Sequence, residues 1–111
     1  MDGCQATDIL SLTTTVGSLD DARRLAQGLL EQRLAACVQL EEITESHYRW
    51  ESRLCADPEV RLTIKSRPQR LAALQAFFAE HHPYDVPQLL WQVLSGSDAY
   101  AGWVQGETAS G

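Results

Sequence analysis

The sequence predicts an α+β domain of ferredoxin-like βαββαβ order, with an extended central β-hairpin and a short C-terminal helix. Three observations carry this. Residues 8–16, DILSLTTTV, are rich in β-branched and apolar side chains, as a strand requires. Ala22, Leu25, Ala26, Leu29 and Leu30 then recur at helical spacing. Two further strand-like stretches follow without an intervening helix before the second helical pattern begins, which separates this order from a simple βαβ crossover.

Each element has its own local justification. Ser18-Leu19-Asp20-Asp21 is a capping signal, a hydroxyl to accept orphan N–H groups and two acids at the positive helix end, so a helix is expected over 19–33. Gly28 inside it should cost about 1 kcal/mol relative to Ala, and the sequence offers no reason for it. Ala36 to Tyr48 reads as a long strand ending near Trp50, with Glu51-Ser52-Arg53 as the turn. Val60, Leu62 and Ile64 alternate cleanly between Glu59 and Lys65, while Cys55-Ala56-Asp57-Pro58 reads as a bulge or edge irregularity in that strand. Ser66 and Pro68 open a second helix whose buried face is Leu71, Leu74 and Phe78. It stops at His82-Pro83, because proline pushes the residue before it out of the helical region. Residues 88–94, QLLWQVL, form the last strand, and Ser97 caps a short helix carrying Ala99, Tyr100, Trp103 and Val104.

At 111 residues the chain is one domain, residues 1–111, with residues 1–7 and 106–111 expected to fray. Its 44% hydrophobic and 22% charged residues exclude a disordered or collagen-like chain. Nine basic residues against 15 acidic ones give a net charge of −6, which argues against nucleic acid as a partner. No run approaches the roughly 18 apolar residues of a membrane span. Acidic Asp2 and Asp8 near the start do not suit an export signal, so a cytoplasmic location without membrane contact is expected. Cys4, Cys37 and Cys55 form an odd, scattered set, expected to remain reduced. Cys37 lies among apolar neighbours and reads as a core thiol. Trp50, Trp91 and Trp103 read as core or interface anchors. The fold leaves one sheet face without helices, and mostly apolar strands there would call for self-association.

Leu34-Ala35-Ala36-Cys37, Tyr48-Arg49-Trp50-Glu51, Ile64-Lys65-Ser66, His81-His82-Pro83-Tyr84-Asp85-Val86-Pro87, and Gly96-Ser97-Asp98-Ala99-Tyr100 with Trp103 occur in that order. Together they resemble the CutA divalent-cation tolerance proteins over most of the chain, from about Asp8 to Val104. The resemblance implies a non-catalytic homotrimer similar to the PII signalling proteins, located in the cytoplasm, and binding of copper, Cu(II), or another divalent cation. It also implies three ligand positions, which hold Thr14, His81 and Gln88 here, where copper-binding members have a Cys, a His and a Glu. Thr for thiolate and Gln for carboxylate weaken the donor set, so weak binding dependent on His81 is expected. Ser52 stands where the family usually has Gly.

Without the resemblance, His81 and His82 read as a helix end where imidazole meets the negative dipole, since adjacent residues do not share a helical face. Lys65 and Glu51 read as a surface ion pair. Under the resemblance the two join Tyr84 and Trp50 in a ligand cleft between subunits, suited to a small anion or metabolite. A third possibility is a trimeric platform for a partner protein. Acylphosphatase-like chemistry is disfavoured, because Thr15-Val16-Gly17-Ser18 lacks a basic phosphate cradle.

Overall fold

Strand β1 (Asp8–Val16) is the spine of the molecule, buried along most of its length and hydrogen-bonded on both sides. The computed structural model describes residues 5–109. Helix α1 (Leu19–Glu31) follows, its N-terminus capped as expected by Ser18 Oγ, which accepts from Asp21 N–H at 3.1 Å. The expected helix to residue 33 ends two residues early because Arg33 adopts φ 58°, the left-handed conformation that commonly closes a helix. Strands β2 (Cys37–Trp50) and β3 (Arg53–Ser66) form the long hairpin. A 3₁₀ turn (Pro68–Arg70) leads into α2 (Leu71–His81). Strand β4 (Leu90–Ser95) and α3 (Asp98–Glu107), capped by Ser97, complete the chain.

The sheet is antiparallel in the order β2-β3-β1-β4. Both long helices lie on one face, where Leu10, Leu12, Val16, Val60, Leu62 and Ile64 pack against Ala22, Leu25 and Leu29 of α1 and Leu74, Phe77 and Phe78 of α2. Gly28 now has its reason: a Cβ there would lie 3.2 Å from Phe77 Cζ, so the bare backbone lets α1 and α2 approach. The second face is covered at one end by α3, through Ile9, Ala101 and Val104.

The rest of that second face corrects an expectation. Away from β4, whose Leu90 and Leu94 share this face opposite Thr13 and Ile9, it is polar through its middle, carrying Ser11, Thr13, Thr63, Gln39, Glu41, Arg61 and Lys65 by the observed register. Arg61 pairs with Glu41 at 2.8 Å, and Lys65 Nζ donates to Gln39 Oε1 at 3.1 Å. Exposed apolar surface is concentrated instead on edge strand β4, where Leu90, Trp91, Val93 and Leu94 are 60, 45, 54 and 40% exposed.

Other boundaries shift for local reasons. β3 runs unbroken through Cys55–Pro58, and the irregularity sits on the partner strand, where β2 passes Pro58 with one extra residue between Ile43 and Ser46. The expected strand over 88–94 starts at Leu90 instead, because the two-proline loop runs on to residue 89. The segments expected to fray are held wherever they are described. Gln105 Nε2 donates to Ala6 O at 2.7 Å, and Thr108 is fully buried. Three guanidinium groups grip the end of α3: Arg33 on Gly106 O, Arg67 on Gln105 O and Arg70 on Thr108 O, at 3.2, 3.1 and 2.8 Å. Positive groups suit the carbonyl end of a helix. Residues 1–4, with Cys4, and 110–111 lie outside the described part.

Candidate functional site

The extra residue on β2 decides which side chains meet. Side chains alternate faces along a strand, so inserting one residue switches the parity of everything beyond it. Before the switch Ile43 is paired with Glu59; after it Ser46, Tyr48 and Trp50 are paired with Asp57, Cys55 and Arg53. Tyr48 therefore shares a face with Asp57, and its hydroxyl donates to Asp57 Oδ2 at 2.6 Å. From the other side the loop between α2 and β4 reaches over the same face. Tyr84 donates its hydroxyl to Glu59 Oε2 at 2.9 Å.

The result is a groove of about 850 Å³. Tyr48, Trp50, Tyr84, Glu59, Asp85 and Gln88 are among the residues that line it, and His47, Val86 and the two prolines of the loop complete its rim. Both phenols are held protonated. Hydrogen bonding to the Asp57 carboxylate raises Tyr48 to about 12, and burial followed by the Glu59 contact pushes Tyr84 further up.

Beneath this groove, on the helix-covered face, Thr14 is fully buried and its Oγ1 lies 2.9 Å from His82 Nε2. His82 Nδ1 accepts from the Tyr84 backbone N–H at 3.1 Å. A nitrogen that accepts carries no proton, so the neutral ring is protonated at Nε2 and donates to Thr14. A nucleophile–base dyad needs the opposite, an unprotonated Nε2 receiving a hydroxyl proton. The pair is thus a structural clamp joining β1, the end of α2 and the loop. Burial lowers the His82 pKa, which favours the same neutral ring.

The three family ligand positions do not converge within one chain. His81 projects from the outer side of α2, its ring 4.6 Å from that of Phe77 and its Nε2 3.5 Å from Glu80 Oε2. It lines a separate shallow pocket with Arg24, Gln27, Glu31 and Gln32. The histidine beside Thr14 is His82. Gln88 is exposed on the groove. Among the described residues no group of three or more His, Cys, Asp and Glu side chains is placed to hold a metal ion. Thr14, His81 and Gln88 do not fit a metal centre in this chain.

Of the expected cleft residues, Trp50 and Tyr84 meet in the groove, but Glu51 and Lys65 do not join them. Glu51 sits at the hairpin tip and Lys65 at the base of β3, about 40 Å apart at roughly 3.3 Å per residue. The ion pair read between them therefore does not form within the chain. Trp50, Trp91 and Trp103 are 42, 45 and 46% exposed, so none is a core residue. Cys37 is only half-buried, not a core thiol, and Cys37 and Cys55 are free.

A small antiparallel α+β domain with a long hairpin and a groove along the outer half of that hairpin defines the class of protein. Comparison then places it. The model of the family described as CutA1 divalent ion tolerance protein matches residues 10–107. A divalent-cation tolerance protein CutA from Pectobacterium atrosepticum is 45% identical over 84 residues, covering 75% of this chain and 76% of that protein. The structure of CutA from Synechococcus elongatus superposes with TM-score 0.88 at 34% identity, covering 93% of this chain and 92% of the other. A structure described as the periplasmic divalent cation tolerance protein CutA from Archaeoglobus fulgidus gives 0.87 at 27% identity, covering 91 and 99%. The chain belongs to the CutA1 divalent ion tolerance family.

Proposed function

We propose that this chain serves divalent-cation tolerance without catalysis, as a cytoplasmic homotrimer that binds copper or another divalent metal weakly. The observation that carries the reading is the donor set. Of the three family positions only His81 offers a borderline donor on an accessible ring, while Thr14 is buried with its hydroxyl committed to His82 and Gln88 supplies a neutral amide. A single imidazole is a weak site. The wrong tautomer in the Thr14–His82 pair supports a non-catalytic role for it. Free thiols at Cys37 and Cys55 suit a reducing compartment. Exposed edge strand β4 supports assembly.

A second reading, a PII-like sensor with a small ligand near Tyr84 and Trp50, is favoured by the groove itself. Its Glu59 and Asp85 carboxylates disfavour an anion there.

Calorimetric titration of Cu(II) into the purified protein tests the metal reading. Wild type should bind weakly, and His81→Ala should remove most of that binding. Because the three positions do not converge within one chain, Thr14→Cys with Gln88→Glu should tighten binding, on the order of tenfold or more, only if assembly brings the restored thiolate and carboxylate to one imidazole. Comparing His81→Ala with His82→Ala in that background identifies which imidazole joins the restored donors. Tight binding by wild type that survives His81→Ala would refute the proposal.

A further inference from the structure

The groove has a composition that metal binding leaves unused. Three aromatic side chains, Tyr48, Trp50 and Tyr84, line it together with the carboxylates of Glu59 and Asp85, and no Lys or Arg is among its lining residues. Along β3 on that face, Arg61 is tied to Glu41 at 2.8 Å, and Arg53 lies opposite Trp50 at the hairpin end, outside the groove lining. Neither phenol neutralises its carboxylate: Tyr84 and Tyr48 remain uncharged donors to Glu59 and Asp57. A phenol whose proton is drawn toward a carboxylate has a more electron-rich ring, which strengthens its attraction for a cation at the ring face.

The character of that cation follows from what the groove lacks. A hard divalent ion needs several oxygens converging at about 2.0–2.6 Å, and no group of three or more His, Cys, Asp and Glu side chains is placed to hold one among the described residues. An anion meets two carboxylates. A cation that spreads its charge over alkyl carbons needs no close coordination, gains from aromatic faces, and is steered by nearby negative charge. The volume, about 850 Å³, lies in the ordinary range for a small-molecule site.

We propose that the groove between the β2–β3 hairpin and the 82–89 loop binds small organic cations of the alkylammonium class, against the rings of Tyr48, Trp50 and Tyr84 and beside the carboxylates of Glu59 and Asp85. The proposal stands apart from the metal reading, because the Cu(II) titration reports on His81 and uses neither Glu59 nor Trp50.

The test is calorimetric titration of the full chain, in its native assembly and at constant ionic strength, with choline and with its uncharged isostere 3,3-dimethylbutan-1-ol. Choline should bind saturably and the isostere at least about tenfold more weakly. Glu59→Gln keeps an acceptor for Tyr84 while removing the charge, and should weaken choline several-fold at an unchanged melting temperature. Trp50→Leu should weaken it comparably. The proposal is overturned by absence of saturable choline binding, by equal binding of the isostere, or by choline binding that neither variant alters. It is likewise overturned if magnesium chloride displaces choline as effectively as tetramethylammonium chloride, since that marks a diffuse acidic surface without a shaped site.

Discussion

The imidazole of His82 is occupied at both nitrogens, donating to Thr14 Oγ1 and accepting from Tyr84 N–H. The bond accepted at Nδ1 requires the neutral ring, since a protonated imidazole has only donors, and burial already lowers its pKa below the ordinary 6.5. Because the unfolded chain binds a proton more readily than the folded one, stability is fully present above about pH 6.5 and falls as pH drops through the folded-state pKa. Urea titrations from pH 7.5 downward should therefore show the midpoint declining below about 6.5. His82→Gln should flatten that part of the profile while lowering stability at pH 7.5 by roughly 1–2 kcal/mol, the cost of a part-buried clamp. An identical slope in the variant would show that another group is responsible. The role of His82 was legible in part. The apolar stripe Leu71, Leu74, Phe78 extends by one helical step of four to His82, whose ring lies 6.0 Å from that of Phe78. His81, four residues after Phe77, falls on the neighbouring outer stripe.

At the scale of elements, the alternation Val60, Leu62, Ile64 and the caps Ser18 and Ser97 predicted the elements they belong to, because each acts over a few neighbouring residues. The groove was not legible, since it depends on the register between β2 and β3 rather than on either strand alone. Pro58 was a visible signal, but the strand that adjusts is its partner. The hairpin turn is closed by Glu51 and Ser52 at φ 49° and 64°, a two-residue turn with both central residues left-handed. That conformation costs a non-glycine residue roughly 1–2 kcal/mol, partly offset by the entropy glycine would lose on folding. Ser52→Gly should therefore raise stability by about 0.5–1 kcal/mol, read as a higher urea midpoint at unchanged slope. A lower midpoint would mean that Ser52 makes a contact worth more than the strain.

For the whole molecule the question is what covers β4. Its exposed row Leu90, Trp91, Val93 and Leu94 lies on a sheet edge whose outer N–H and C=O groups pair with no strand among the described residues. An edge that long and apolar is a template for association unless another chain occupies it. The −6 net charge opposes nonspecific aggregation, so a closed assembly fits better than open-ended stacking. Light scattering after gel filtration should return three times the 12.3 kDa chain mass. The sharper measurement is stability. Substitutions at exposed sites of a monomer usually stay within about 0.5 kcal/mol, whereas uncovering a buried interface costs several times more. Leu90→Lys with Val93→Lys should therefore shift the mass toward one chain and lower the melting temperature by more than a few degrees, with wild-type melting that depends on protein concentration. A wild-type mass of one chain, with both Lys variants neutral, would mean that the apolar edge faces water.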